Sequence, residues 1–468
     1  MKRETQNILI YCLDAIGESM AGPAIRSWEF ATQLSKNHNV TIMSPYKTQL
    51  KSKSFKLMKY TNRSFERELE KADFLIVQKI QSRIAKLANK YDTRIIIDAY
   101  DPISVEALEA LRHEKMQTRI AMNNRLLLEQ SISFMYADSI ICASEKQRDF
   151  WLGVLSGLNK ITPTMYDKDN SLRNLIDVVP FGLSSDAPIK NSEDGLRKKF
   201  NLKQSDFVVL WGGGIWDWFD PLSVIRAVNT IKDKIPIKLV FMGIDHPNPG
   251  IPRMPMVEKS IELSNRLGLT NKNVFFNEGW VPYKQRQNFL LDANVGISTH
   301  YDHLETRFSF RTRILDYIWA SLPIIATRGD SFAEIIEENN LGIIVDYDSQ
   351  ESLTNAFSYL YKNKEDYARI QKNMQKISLE FHWENCIKPI ESIIEYWVES
   401  EPEKTMNVNY ATISLTNIHG GYSKRIKRYA KMLVTPEEYK VRMGKLYRSQ
   451  DIIRRKTLKK AIGLDKKK

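Results

Sequence analysis

Short runs of apolar, β-branched residues recur along this chain, each followed by a polar or glycine-bearing loop and then by apolar residues at helical spacing. Residues 7–12 (NILIYC), a loop at 13–23, helical spacing over 25–34 and a second run at 40–44 (VTIMS) set the pattern. Runs without polar alternation suit strands buried on both faces, and such strands belong to parallel sheets covered by helices. The pattern returns at 73–78, 94–99, 139–143 and 176–180, then at the start of 206–228 and at 237–243, 273–276, 293–298 and 323–327. It predicts an α/β chain built from doubly wound parallel sheets. A length of 468 residues leaves room for two such domains and an appendage.

The charge is unevenly placed. Of 69 Lys and Arg and 56 Asp and Glu, residues 424–468 hold 17 and 4, so residues 1–423 carry 52 of each. In that tail the cations alternate with Ile426, Leu433, Met443, Leu446 and Ile453. A basic amphipathic helix lying on an anionic membrane surface is one reading, and a solvated extension is another. Nucleic acid is the least favoured partner. No apolar stretch of about 20 residues could span a bilayer, and the N-terminus lacks a signal-peptide pattern. The expected location is therefore cytoplasmic, peripheral on the inner face of the membrane if the tail binds there. Cys12, Cys142 and Cys386 are odd in number and far apart, which suits reduced, packed thiols rather than a disulfide or metal site.

The polar residues of 298–332 collect where strands end and a helix begins, the edge of an open α/β sheet at which ligands bind. Helix starts favour anions, and arginine matches phosphate with a forked pair of donors. Arg307, Arg311 and Arg313 crowd this turn, while Thr312, Arg313 and Asp316 fall on one helical face. The stretch suits a nucleoside diphosphate whose ribose meets Asp316; it also suits a surface helix with an Arg313–Asp316 ion pair. Upstream, Gly212, Gly213 and Gly214 would let backbone N–H groups approach a phosphate without interference from a Cβ. Trp216 and Trp218 follow, to stack on a sugar or base or to pack the cleft. Asp217 and Asp220 have the wrong spacing for an Asp-x-Asp metal site, and no metal or other cofactor is expected. Near the N-terminus Gly22 sits in a strand-to-helix loop, a phosphate cradle or simply a tight turn. Asp98 and Asp101 close the strand at 94–99, to bind hydroxyls or to cap the next helix.

Residues 320–327 (ASLPIIAT) and the acid at 316 resemble the donor-binding segment of the family-4 retaining glycosyltransferases of GT-B fold. There an acid, seven residues and a second acid precede such a run, which often carries Gly where this chain has Ser321. The second acid falls on Asp316 and the first on Phe308, so Glu305 is the nearest candidate for the missing carboxylate. The segments ADSIICASE (137–145), VVPFGL (178–183) and GWVPY (279–283) also resemble the family, as does 381–398, its terminal crossing helix. Two departures stand out: Tyr100 replaces a His before Asp101, and the glycine loop lacks the family's Arg and Lys, leaving Arg311 and Arg313 to supply positive charge.

The resemblance implies two Rossmann-like domains facing a cleft: an acceptor domain at 1–186 and a donor domain at 187–380. A helix at 381–400 crosses back, and the basic tail occupies 401–468. It implies transfer of a sugar, with retention, from a nucleotide diphosphate sugar to a hydroxyl of a glycan or lipid-linked acceptor, in surface-polysaccharide biosynthesis. Asp101, Glu305, Arg311 and Arg313 are the candidate catalytic residues. Gly22, Gly213, Gly214, Trp216, Gly243, Trp280, Val281, Ser309, Thr312 and Asp316 would hold the donor. A nucleotide-sugar epimerase of the same architecture, or a non-catalytic scaffold with a degenerate donor site, are the competing expectations.

Overall fold

The structure, a computed structural model, describes residues 5–191, 194–246 and 253–399. Two parallel sheets organise them. The first contains β1 (Asn7–Tyr11), β2 (Asn39–Ser44), β3 (Lys56–Lys59), β4 (Phe74–Val77), β5 (Arg94–Asp98), β6 (Ser139–Cys142) and β7 (Ile176–Val178), in the order β3-β2-β1-β4-β5-β6-β7. The second contains β8 (Phe207–Trp211), β9 (Ile237–Phe241), β10 (Val274–Phe276), β11 (Val295–Ser298), β12 (Ile324–Thr327) and β13 (Gly342–Val345), in the order β10-β9-β8-β11-β12-β13. Each sheet reverses direction beside its own first strand, so a crevice opens at the carboxyl ends of β1 and β4 and of β8 and β11. Helices cover both faces, and β4, β6, β8, β11 and β12 are buried along their whole length. The two-sheet GT-B arrangement expected from the strand pattern is the fold.

Local chemistry explains most element boundaries. Asp220 caps the helix Pro221–Ile231 by accepting from Ser223 N–H, with Pro221 at a position where a missing N–H costs nothing. Asp330 caps Ser331–Glu338 through two backbone N–H groups, and Ser144 caps Glu145–Gly157 as its sequence context suggests. Ser321, where the family resemblance often places Gly, has φ +50°, the left-handed conformation that ends a helix. Cys12, Cys142 and Cys386 are buried and form no disulfide.

The structure shifts several expected elements. Gly22 is not in the loop but is the first residue of the helix Gly22–Leu34, which Pro23 can open three residues earlier than apolar spacing indicates. The edge strand β3 (KLMK) is too polar to announce itself, and one turn of helix, Leu304–Phe308, interrupts the loop after β11. The crossing helix is two pieces, Trp383–Cys386 and Lys388–Glu399, broken just before Pro389.

The chain passes between the two sheets after β7 and again before Trp383, and the two passages run together. Leu183 N–H donates to Phe381 O at 2.7 Å, and Trp383 N–H donates to Leu183 O at 3.0 Å. Gly182 is needed there, since a Cβ would lie 2.5 Å from the Trp383 ring. Lys388–Glu399 then rests on the first half, where Trp397 donates to Ser139 Oγ at 2.9 Å. No helix among the described residues is long and apolar enough to cross a membrane. The basic segment 424–468, with its expected membrane role, lies outside the described residues.

Candidate active site

The second sheet supplies one wall of the site. β8 runs directly into Gly212–Gly214, and Tyr317 pins this loop: its hydroxyl accepts from Gly212 N–H at 2.7 Å. The same oxygen lies 2.9 Å from Ile297 O and 3.0 Å from Leu210 O, so its single proton serves one carbonyl at a time. Gly213 has φ +98°, a conformation glycine adopts without strain. Beyond it the rings of Trp216 and Trp218 stack on each other, centroids 5.2 Å apart. His246 lies between Trp216 and Trp280, at 5.7 and 5.6 Å. Gly243 and Gly214 both back onto Trp280; a Cβ on either would sit 3.3 to 3.4 Å from its ring. Val281 is buried behind it. The expected donor residues Gly213, Gly214, Trp216, Gly243, Trp280 and Val281 are thus brought together.

The two arginines paired in the sequence have different fates. Arg311 makes a two-toothed ion pair with Glu305, at 2.7 and 2.6 Å, with both groups buried. Arg313 is 9 % exposed and has no carboxylate partner among the described residues. It donates from Nη2 to Gly214 O at 2.8 Å, lies over the Phe219 ring at 4.2 Å, and keeps Nη1 buried without a hydrogen bond. Burial, with Arg311 adding repulsion, pushes its pKa down to about 10, still charged at neutral pH. The Arg313–Asp316 pair offered by the spacing does not form. Asp316 accepts instead from Arg286 Nε at 2.9 Å, and Arg286 stacks on Tyr283 and Trp319. Thr312 opens the helix Thr312–Trp319, while Ser309 is buried and donates to Thr306 O. Behind Glu305, His300 and Asp330 face each other at 3.3 Å. Burial holds the imidazole pKa down; Asp330, which burial alone would raise, is drawn below its ordinary range by His300 and Arg311.

The first sheet supplies the opposite wall. Arg26 is fully buried, with its fork on both oxygens of Asp98 at 2.7 and 3.0 Å, so it organises the acceptor edge rather than reaching a phosphate. Tyr100 replaces the expected His and lies against Gly22, whose Cβ would meet its hydroxyl at 3.3 Å. Asp101 does not cap the next helix, whose N-cap is Pro102. Its carboxylate is accessible to solvent yet ringed by protein, and the thinned water around it, with Asp98 and Glu305 adding repulsion, pushes its pKa up to about 7. Glu106 is raised by burial and by the carboxylates of Asp101 and Glu305. The walls meet at Gln147, which nothing in its local sequence marks out: its Nε2 donates to Tyr100 O at 2.8 Å and to Phe308 O at 2.9 Å. Phe308, where an acid was expected, stacks on Phe150 at 4.7 Å. Glu305, one turn earlier, faces Asp101 instead.

Residues 193–377, which carry the glycine loop, Glu305 and both arginines, match the family model for glycosyl transferases group 1. The match lies within the half of the chain that holds the second sheet. The whole described fold resembles solved structures at low sequence identity. HepE of Anabaena in complex with UDP and glucose is 14 % identical with a TM-score of 0.59, covering 83 % of this chain and 99 % of its own. Sucrose-phosphate synthase of Thermosynechococcus elongatus is 15 % identical with a TM-score of 0.60, covering 84 % and 100 %. WaaG, a glycosyltransferase involved in lipopolysaccharide biosynthesis, is 16 % identical with a TM-score of 0.55, covering 83 % and 98 %. These likenesses show a shared fold. No curated protein matches the chain by sequence. The glycine loop 212–214 carries no cation of its own, and Arg313 from the helix Thr312–Trp319 donates to it at Gly214 O.

Proposed function

We propose that the protein transfers a glycosyl group, with retention, from a nucleoside diphosphate sugar to a hydroxyl acceptor. The observation that carries this reading is Arg313: a buried guanidinium beside a glycine loop, with one unpartnered Nη1 and no counter-charge. An isolated buried cation is unfavourable by several kcal/mol, and a diphosphate entering over Gly213 and Gly214 would relieve it. The start of Thr312–Trp319 and the glycine N–H groups would add their dipoles, so that charge growing on the departing diphosphate is stabilised without reorganisation. Asp316, held by Arg286 with one oxygen to spare, is suited to a ribose hydroxyl, and the Trp216–Trp280 region to the base or sugar. HepE binding UDP and glucose on the same fold supports a nucleotide sugar as donor. Asp101 and Glu305 face one another where acceptor and sugar would meet. The group 1 family resemblance, not geometry, is the ground for retention, and the acceptor is proposed to be a glycan or a lipid-linked compound.

Thermal melts of the full chain with UDP, GDP, dTDP and ADP test the reading. A ligand at a hundred times its Kd adds about 2.7 kcal/mol, so one of the four should raise the Tm, and Arg313→Met should abolish that rise. A flat response to all four in the parent chain would sink it.

A further inference from the structure

We propose that the acceptor is an amphiphile, a hydroxyl compound carrying an uncharged apolar group, and that a cavity in the first half receives that apolar group. This rests on the transferase reading and names the substrate class it left open. The cavity, about 120 Å³, lies beyond the carboxyl ends of β4 and β5 under the helix Met116–Tyr136. Leu13, Leu126, Phe134 and Trp151 give it apolar walls. Several of the polar groups on its surface are already committed. Both oxygens of Asp98 hold Arg26, and Trp151 Nε1 donates to Ala99 O. Ser133 Oγ donates to Glu129 O and accepts from Ile80 N–H. Glu129 carries Arg125 and Lys79. The Gln78 amide, the Tyr100 hydroxyl and the Asp101 carboxylate complete the polar lining with Gln130, whose Oε1 is buried without a partner.

A ligand group here meets mainly apolar walls, with its few available polar atoms on Gln78, Gln130 and, beside Tyr100, Asp101. A charge would lose its hydration with nothing in return, and a polyhydroxylated ring would leave most hydroxyls unsatisfied. An alkyl or aryl group with at most one donor fits. Asp101 closes one end of the cavity, towards Glu305, which places an attached hydroxyl at the transfer site. Ile103, also in the lining, is 45 % exposed, and the helices Ile103–Ala110 and Met116–Tyr136 carry exposed Leu108, Ile120 and Leu127. That apolar surface gives a longer chain a way out.

Calorimetry on the full chain, with methyl, p-nitrophenyl and octyl β-D-glucoside as probes (octyl below its micellar concentration), tests this. Burying one ring or a short alkyl chain in the cavity should tighten binding about tenfold over the methyl glucoside. Leu126→Trp, which fills the space, should erase the difference while leaving the UDP-induced Tm rise intact. A preference for octyl assigns a lipid-like chain and a preference for p-nitrophenyl a soluble aryl aglycone; either supports the proposal. Equal binding of all three, or a preference that survives Leu126→Trp, overturns it. A flat Tm response to all four nucleotides in the parent chain would instead refute the donor site, so the two failures are separable.

Discussion

Arg311 and Arg313 stand two residues apart, and removing them should have opposite effects on the empty protein. Arg311→Met strands the Glu305 carboxylate, fully buried beside it, and breaking such a pair from one side costs about 3–5 kcal/mol. Arg313→Met removes a buried charge that has no partner and puts an apolar chain against Phe219, so the unliganded Tm should hold or rise. Only the second should cost the nucleotide response without costing stability; a large Tm drop in Arg313→Met would contradict this account of its burial. The sequence alone could not separate the two. Both lie at the helix start by spacing, and whether a residue there turns to a neighbouring loop or back to its own depends on what packs around it. The same holds for Asp316, whose expected partner at helical spacing was Arg313 and whose actual partner, Arg286, comes from 30 residues away.

At the scale of elements, the strands were legible because parallel strands covered on both faces are written as unbroken apolar runs. The edge strand β3 and the one-turn helix Leu304–Phe308 were not, the first because its face is open and the second because one turn has no period. The contact that fits these elements together is Tyr317. Its ring fills the space left by Gly296, where a Cβ would stand 2.4 Å from it, and its hydroxyl anchors the end of β8. Tyr317→Phe keeps the ring and orphans Gly212 N–H, which should cost about 1–3 kcal/mol. Gly296→Ala attacks the ring contact instead and should be worse, since neither β11 nor the ring can yield by more than a few tenths of an ångström in a close-packed interior. Denaturant midpoints of the two variants check the order; equal losses would show that the hydroxyl matters as much as the fit.

Across the whole molecule, the two halves touch at a titratable contact between Glu29 and Tyr283. Tyr283 donates to Glu29 Oε1 at 3.4 Å, and Tyr283 N–H donates to Glu18 O at 3.1 Å. Burial, partly offset by Arg286, raises the Glu29 pKa to about 7 from an ordinary value near 4.5. The folded form therefore binds this proton more tightly than the unfolded one. The stability it lends is present below about pH 4.5 and lost as pH rises towards 7. Glu29→Gln should flatten that loss, so its Tm advantage over the parent should grow from pH 5 to pH 8; a constant difference would refute the shift. None of this was visible in the sequence, because Glu29 and Tyr283 meet only once two separately wound sheets have been brought face to face. The paired passages at Leu183 and His382 set what such a contact can control. Two strands of chain fastened side by side act as a single hinge pin, which permits swing about one line and resists sliding and tumbling. A protein hung this way has one coordinate of large motion, and the arc swept is longest farthest from the pin. Each opening must then carry the glycine loop and Asp101 apart, and each closing return them to the same register.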